Sequence, residues 1–541
     1  MESRESTIAV DKDDAGADVD VLIVGAGILG LYQLYRARED GFSVQVLEAG
    51  DGLGGTWFWN RYPGARFDSE SYTYAFLFSK ELFEEWEWQE HFAGQPEIES
   101  YLNYAVDKFD LRKHIRFGTR VTSAVWDETA GLWTVRASDG TQTRARFVVA
   151  ALGILSLPVF PEVPGRTEFR GEAYHTGLWP KEPVSFESKR VAIVGTGSSG
   201  VQIIPEIVDL VDDLTVYQRT PNWCTPLNNR PVTAEEQAAL KAGFEQMKEV
   251  LAASPTGFLH VSPGLKTFGH TKDERWAFYE TIWASPGFAK ITTNYTDMMT
   301  DPAANAEWCQ FIAEKIRGIV KDPAVADKLI PKDHGYAGKR PPYVTNYFEA
   351  YNRPNISLVD LTETPIVRVT ETGIKTTAGH RDYDMIVWAT GFDFGTGSLM
   401  KLGARGRGGL PLAEYWADGP ITFLGLMCQN FPNFFFPGGP HGAAGNNPRY
   451  GGDQSDFIAD ALVYMREHGY TTIEVPAASE EAWTSMVDEG ARTASFTESS
   501  YFYGTNVPGK ARRYLINPMG RPKLLEMMKG AVASEYQGFL R

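Results

Sequence analysis

Two glycine triplets, each placed directly after a short apolar run, carry the clearest chemistry in this sequence. In this spacing the first glycine permits a tight turn, the second lets the backbone approach a pyrophosphate, and the third lets a helix pack on a strand. The pair of motifs therefore predicts two dinucleotide sites in one chain. The triplets are Gly25, Gly27 and Gly30, and Gly195, Gly197 and Gly200.

The residue that follows the second apolar run of each unit predicts which ribose the site accepts. Glu48 follows Ser43–Leu47, and its carboxylate suits free ribose hydroxyls but repels a 2′-phosphate. Arg219, followed by Thr220, takes that place in the second unit, where a guanidinium would pair with a 2′-phosphate. The second site is therefore expected to favour NADPH over NADH. The alternative for Arg219 is an ordinary surface charge.

Aromatic and charged residues outside the triplets supply further candidates. In Gly54–Gly64, glycines lie beside bulky aromatics, which suggests backbone close to a flat ligand with Trp57 and Trp59 as walls. The alternative is that these tryptophans belong to the core. Asp68 lies just beyond and alone would be a capping or surface acid. The Lys339–Arg340 pair precedes two prolines on a predicted loop.

The elements that must position these residues follow from apolar patterning. Val19–Val24 and Arg190–Val194 are predicted buried parallel strands, each followed by a glycine turn and a helix. Residues 232–333 are rich in helix formers and are predicted to be a helical insertion. Asp384–Asp393 is predicted to be a late strand that closes the first dinucleotide domain and makes it discontinuous. The fold class is therefore α/β, with two Rossmann-like domains and a helical insertion.

Composition narrows the function. The chain has 541 residues, a length that suits more than one soluble domain. Its net charge of −17 argues against binding to nucleic acid. The three cysteines form no CxxC, so neither a dithiol redox pair nor a metal site is expected. No apolar run is long enough to cross a bilayer, and the start of the chain is not a signal peptide. We expect a cytoplasmic protein that is a monomer, with an oligomer left open.

The stretch Phe169–Pro180 matches the pattern FxGxxxHxxxW(P/D) at every fixed position: Phe169, Gly171, His175 and Trp179. This pattern resembles the fingerprint of the type I Baeyer–Villiger monooxygenases. The same family's segments resemble this chain, in the same order, from about residue 19 onward. They are Gly54–Gly64, the turn at residues 218–221, Lys339–Arg340, residues 389–393 and residues 506–510.

The resemblance implies two cofactors and a domain division. FAD would be bound by Gly25, Gly27, Gly30 and Glu48, and NADPH by Gly195, Gly197, Gly200, Arg219 and Lys339. The FAD domain would comprise residues 19–155 and 385–541, and the NADPH domain residues 156–231 and 334–384, with a disordered tail at residues 1–18. The other expected cofactor-site residues are Gly55, Thr56, Trp57, Asp68, Thr196, Ser198, Ser199, Thr220, Thr390 and Gly391.

The resemblance also implies a mechanism. NADPH would reduce the flavin, dioxygen would add at flavin C4a, and the resulting peroxide would attack a ketone to give an ester or lactone. Arg340 would stabilise the negative charge, and Asp68 would position Arg340. His175 would help the domains to move between reduction and oxygenation rather than act as a base.

Other functions stay open on the residues alone. An N- or S-oxygenating flavin monooxygenase would use similar glycine triplets, and a flavin-binding redox sensor would need no turnover. Tyr501 stands where several family members carry a tryptophan that touches the nicotinamide cofactor, so its contact is open. Residues 442–452 are predicted to be a mobile loop, and residues 441–449 are expected to line the substrate pocket. The identity of the ketone is left open.

Overall fold

The computed structural model of the chain describes residues 16–492 and 500–540. The predicted tail at residues 1–18 falls almost entirely outside the described residues. Asp18 is described and belongs to the folded chain, because its backbone N–H donates to the carbonyl of Arg144 over 2.8 Å. The Arg144 N–H donates in return to the Asp18 carboxylate over 2.7 Å.

In the described chain, strands outnumber α-helices before and after the insertion, and helices connect or cover them. The strands are β1 (Val19–Val24), β2 (Val44–Leu47), β3 (Ile115–Arg116), β4 (Val121–Asp127), β5 (Leu132–Ala137), β6 (Gln142–Ala150), β7 (Glu172–His175), β8 (Arg190–Val194), β9 (Asp213–Gln218), β10 (Thr225–Pro226), β11 (Tyr343–Val344), β12 (Ile356–Asp360), β13 (Ile366–Val369), β14 (Gly373–Thr376), β15 (Gly379–Asp382), β16 (Met385–Trp388), β17 (Ala404–Arg405) and β18 (Phe434–Phe435). The α-helices are α1 (Ile28–Glu39), α2 (Thr56–Trp59), α3 (Ser71–Tyr74), α4 (Lys80–Glu85), α5 (Gln95–Lys108), α6 (Ser198–Ile207), α7 (Ala234–Ala242), α8 (Phe244–Ala253), α9 (Lys272–Ala284), α10 (Ala289–Thr292), α11 (Pro302–Ile319), α12 (Pro323–Leu329), α13 (Tyr347–Ala350), α14 (Gly397–Lys401), α15 (Leu412–Tyr415), α16 (Asn447–His468), α17 (Ala477–Arg492) and α18 (Arg521–Ala533).

The first sheet has the order β17-β4-β5-β6-β1-β2-β3, with β18 paired to β6. Strand β1 is parallel to both β2 and β6, and its apolar residues Leu22 and Ile23 are fully buried. Burial of both faces explains why this strand is apolar without alternation. Helices α1 and α16 pack beside each other against this unit. Helix α16 begins at Asn447, so the predicted mobile loop at residues 442–452 is wrong from residue 447 onward.

The second sheet is entirely parallel, with the order β12-β9-β8-β16-β7. Strand β16 lies between β8 and β7, so the prediction that Met385–Trp388 closes the first sheet is wrong. A run of apolar residues predicts that a strand is buried at the centre of a sheet, but it does not predict which of two sheets contains the strand. The late segments that do return to the first sheet are the short strands β17 and β18.

Residues 232–333 contain six α-helices and no strand, as predicted. They do not form a separate core. Phe244, Met247 and Leu251 of helix α8 belong to the core of the first sheet. Trp308 and Ile312 of helix α11 belong to the core of the second sheet. The insertion therefore packs on both dinucleotide units.

Membrane insertion through a helix has no support in residues 16–492 and 500–540, where no helix combines the length and apolar character that a bilayer span requires.

Candidate active site and cofactor sites

The two glycine loops are built in the same way. Gly25 and Gly195 have φ angles of +104° and +111°, which side-chain-bearing residues rarely adopt. A Cβ on Gly30 would lie 1.9 Å from the Gly25 carbonyl oxygen, and one on Gly200 would lie 2.2 Å from the Gly195 carbonyl oxygen. Each third glycine is therefore required for the helix to start directly on the turn.

The middle glycine of the second triplet faces open space, and that of the first triplet faces Gly55. A Cβ on Gly197 would meet no described protein atom within 4 Å, whereas the nearest atom to one on Gly27 would be the Gly55 Cα, at 3.5 Å. Ser198 and Ser199 begin helix α6 directly after this gap, and Thr56 and Trp57 begin helix α2 after Gly55. The middle glycines precede helices α1 and α6 directly, so each loop brings bare backbone to the start of a helix, which suits a pyrophosphate.

Glu48 lies at the end of β2, where the sequence predicts a ribose partner. Its carboxylate accepts hydrogen bonds from the N–H groups of Ala26 and Gly50, both at 2.7 Å, and only 5% of the residue is exposed. Burial raises the pKa of Glu48, and these two hydrogen bonds act in the opposite direction. The carboxylate therefore also ties the glycine loop to the end of β2.

Two cations from distant segments converge beside the second loop. Arg219 is exposed and has no carboxylate partner among the described residues. The charge of Arg219 reaches Lys339, whose pKa is lowered by burial and by Arg219, while Asp333 at 3.5 Å counteracts both. Thr196 is buried and its hydroxyl contacts the carbonyl of Thr220 at 3.5 Å. Two positive charges at the end of β9 suit a 2′-phosphate.

Asp68 and Arg340 form an ion pair between loops that lie far apart in sequence. Asp68 lies just before helix α3 in the first unit, and Arg340 lies just before β11, next to the second unit. Asp68 is 8% exposed and the Arg340 side chain is 32% exposed. Burial alone would lower the pKa of Arg340, but the charge and hydrogen bond of Asp68 outweigh burial and raise the pKa.

Three residues around Arg340 escaped the sequence analysis or were left open by it. The ring of Phe288, from the insertion, lies 5.1 Å from the Arg340 guanidinium carbon, and the Asn222 side-chain amide donates to the Arg340 carbonyl over 2.9 Å. Tyr501 also lies beside Arg340, and burial raises the pKa of Tyr501 to about 12, against the charge of Arg340. No local pattern marks Phe288 or Asn222, because each is defined only by its tertiary neighbour.

The fingerprint stretch joins the second sheet to helix α2 of the first unit. His175 ends β7, is 3% exposed, and its Nδ1 accepts a hydrogen bond of 2.9 Å from the Gly177 N–H. The Trp179 N–H donates to the carbonyl of Trp59 over 3.2 Å. Phe169 and Gly171 begin this stretch, and a Cβ on Gly171 would meet the Phe169 ring at 2.5 Å and the Asp384 carbonyl oxygen at 2.6 Å.

Thr390 and Gly391 lie next to this fingerprint, and Thr390 N lies 3.6 Å from the place of a Cβ on Gly195, in the second glycine loop. The Thr390 hydroxyl donates to the Val159 carbonyl over 2.6 Å, and the Val159 N–H donates to the Gly391 carbonyl over 2.9 Å. Phe392 follows and its ring lies 5.9 Å from that of His175. These residues therefore link the end of β16 to the crossover between the units.

Burial of His175 leads to a pH prediction. Burial lowers the pKa of His175 to about 4, against an ordinary value of 6.5. Between these values the unfolded chain binds more protons, so His175 removes about 1.4 kcal/mol of stability for each pH unit that the pH falls. We expect the apparent Tm of wild type to fall more steeply from pH 6.5 to pH 4 than that of His175→Gln. Equal slopes would contradict this prediction, and His380→Gln, at an exposed histidine, should follow wild type.

Comparisons with known proteins agree with the geometry. Residues 18–230 match the family described as flavin-binding monooxygenase-like. The 2-oxo-Δ3-4,5,5-trimethylcyclopentenylacetyl-CoA monooxygenase of Pseudomonas putida is 40% identical over 96% of this chain and 98% of its own length. The crystal structure of cyclohexanone monooxygenase from Rhodococcus sp. Phi1 bound to NADP⁺ has a TM-score of 0.94, 38% identity, and coverage of 96% and 98%. A structure of OTEMO with FAD and NADP has a TM-score of 0.93, 39% identity, and coverage of 97% and 99%.

Two glycine loops, one on a mixed sheet and one on a parallel sheet, with an arginine–aspartate pair joining the two units, define a two-dinucleotide flavoprotein monooxygenase that uses FAD and NADPH. Within that class, the chain belongs to the type I Baeyer–Villiger monooxygenases, which insert one oxygen atom next to a ketone carbonyl.

Proposed function

We propose that Arg340 and Asp68 are the oxygenation machinery of this enzyme, with FAD held at the first glycine loop and NADPH at the second. The observation that carries the proposal is the ion pair between the two residues, which places a fixed cation where the two dinucleotide units meet. The cradles at Gly27 and Gly197 fit the pyrophosphates of the two cofactors, since both are free of side chains.

The first glycine loop would hold FAD, which, once reduced by NADPH, would activate the dioxygen that provides the inserted oxygen atom. The protein must then stabilise the negative charge that develops on the ketone oxygen during attack. The Arg340 guanidinium does this with donors that are already oriented, and Asp68 fixes their direction. The Phe288 ring, 5.1 Å from the guanidinium carbon, supports the cation through its face.

Arg219 and Lys339, the two cations beside the second glycine loop, select the reductant. Arg219 and Lys339 pair with the 2′-phosphate of NADPH, and Glu48 accepts from the ribose of FAD. Tyr62, whose hydroxyl donates to Gln202 of helix α6 over 2.7 Å, holds the first unit to the start of the second.

A panel of cyclic, aromatic and linear ketones tests the proposed function. The expected result is ketone-stimulated NADPH consumption with a product heavier by one oxygen atom and identified as an ester or lactone. A phenazine N-monooxygenase of Lysobacter antibioticus is 38% identical over 98% of each chain, so phenazines and amines belong in the panel. Oxygenation of nitrogen compounds with no ketone converted would replace the proposal with N-oxygenation.

Arg219→Gln is expected to raise the KM for NADPH roughly tenfold and to leave the KM for NADH nearly unchanged. A charge-assisted hydrogen bond contributes about 1.5–3 kcal/mol, and each 1.4 kcal/mol is a factor of ten. Steady-state kinetics with both reductants measures the effect. Arg353→Gln is a matched control, because Arg353 is an exposed arginine held by Asp209 on the same unit. An equal change for NADH would mean that Arg219 does not read the 2′-phosphate.

A further inference from the structure

A cavity of about 260 Å³ lies between helices α1, α16 and α8. Ile28, Leu29 and Tyr32 of α1 line one side, and Pro448, Arg449 and Gly452 of α16 line another. None of the residues assigned to FAD, to NADPH or to the Asp68–Arg340 pair lines it. The cavity therefore does not include the Asp68–Arg340 pair, but it adjoins the first glycine loop, because Ile28 and Leu29 stand between Gly27 and Gly30. Pro448 and Arg449, which the sequence predicts to line the substrate pocket, line this cavity.

The two carboxylates in this cavity already have partners. Arg521 holds Asp453 through two hydrogen bonds, of 2.6 Å and 2.8 Å. Asp456 accepts a hydrogen bond of 2.6 Å from the Tyr32 hydroxyl and pairs with Arg36. Each carboxylate therefore already pairs with one arginine, and a further cation in the wall is left with only the additional charge of Asp453.

Arg449 is that further cation, and it has no carboxylate partner among the described residues. One of its terminal nitrogens donates to the carbonyl of Ala75, while Nε is buried and has no hydrogen-bond partner in the described chain. Burial and the nearby Arg521 lower the pKa of Arg449 to about 10, so the guanidinium is still charged near neutral pH. A buried charge with unused hydrogen-bond donors costs free energy unless an anion accepts from those donors.

The rest of the cavity wall is apolar, except for the cation of Lys248 at one edge. Phe76, Leu77 and Phe78 cover the cavity from the segment after helix α3, and Leu251 covers it from α8. Lys248, also from α8, is exposed and lies 4.0 Å from Glu245, a loose contact. An apolar surface next to an uncompensated arginine suits a ligand with an anionic head and an apolar tail.

We propose that this cavity binds a medium-chain carboxylate, with its carboxylate on Arg449 and its hydrocarbon chain along Phe76, Leu77 and Leu251. The planar guanidinium matches a carboxylate in a two-point hydrogen bond. At about 30 Å³ for each water-sized group, 260 Å³ holds roughly nine groups. That is the size of an eight-carbon acid.

Calorimetric titration of the FAD-loaded enzyme with octanoate tests the proposal, with octanol as the uncharged probe. We expect saturable octanoate binding at one site, and octanol binding weaker by at least about tenfold. Arg449→Met should weaken octanoate to the level of octanol. Arg353→Met, which removes an exposed and paired arginine elsewhere, should leave octanoate binding unchanged.

Gly452→Leu fills the cavity without touching a charge. A Cβ on Gly452 would contact only the Tyr32 ring, at 3.5 Å, so the new side chain extends into the cavity. Gly452 lies inside helix α16, where leucine is a better helix former, so the variant should fold even if Arg449→Met does not. It should lose octanoate binding and keep its FAD and its ketone activity.

Three results would overturn the proposal. Equal affinity for octanol would show that Arg449 does not recognise an anion. Unchanged octanoate binding in Gly452→Leu would place the ligand elsewhere. Release of FAD by octanoate would assign the binding to the cofactor cleft instead.

Discussion

Arg340→Ala is expected to lower the rate of ester or lactone formation at least ~100-fold, while reduction of the flavin by NADPH continues. Removal of one preorganised donor to a developing oxyanion typically costs about two to three orders of magnitude in rate. Arg340 is the cation that joins the two units at Asp68, and it lies outside the glycine loops that hold the cofactors. Product mass reports ester formation, and anaerobic bleaching of the flavin reports reduction.

Two further variants make this result interpretable. Arg340→Lys keeps a charge but cannot form the same fork of hydrogen bonds, so it should recover only part of the activity. Arg112→Ala removes an exposed arginine that pairs with Asp107, and it should behave as wild type. Ester formation at the wild-type rate in Arg340→Ala would remove Arg340 from the mechanism. Loss of FAD in that variant would instead reveal a structural role.

Gly197→Val is expected to raise the KM for NADPH at least ~100-fold without loss of FAD or of thermal stability. A Cβ at this position meets no described protein atom within 4 Å, so the fold has room for a side chain. The space that the side chain fills is the space in which the backbone would approach the pyrophosphate. Stopped-flow reduction at increasing NADPH concentrations, together with the flavin content of the purified protein, measures both effects.

Gly200→Ala is the informative partner of Gly197→Val. Its Cβ would lie 2.2 Å from the Gly195 carbonyl oxygen, so it should lower stability as well as NADPH binding. Gly318→Ala, in helix α11 with nothing within 4 Å, should leave both unchanged or raise stability slightly. A Gly197→Val enzyme with normal NADPH kinetics would mean that the second loop does not hold the dinucleotide.

The features that local sequence encodes were predicted well. The glycine loops, the strands that precede them and the helical character of residues 232–333 depend on neighbours within a few residues, and the structure has all of them. Strand β16 was assigned to the wrong sheet, because buried apolar strands of both sheets look alike in sequence. The start of α16 was missed, because Gly451 and Gly452 lower the helix propensity of its first turns.

The Asp68–Arg340 pair could not be predicted from residue patterns alone. Asp68 alone would be read as a surface acid, and only the family resemblance joined it to Arg340. The structure brings the two together in an ion pair. Phe288 was not predicted, because its contact with Arg340 depends on how the insertion folds back over the cleft.

The shared packing of the insertion limits how this enzyme can be recombined with its relatives. Helix α8 is built into one core and helix α11 into the other, so a graft of residues 232–333 would have to match two foreign surfaces at once. Chimeras that exchange single helices together with the side chains beneath them preserve those surfaces better than exchange of the whole segment.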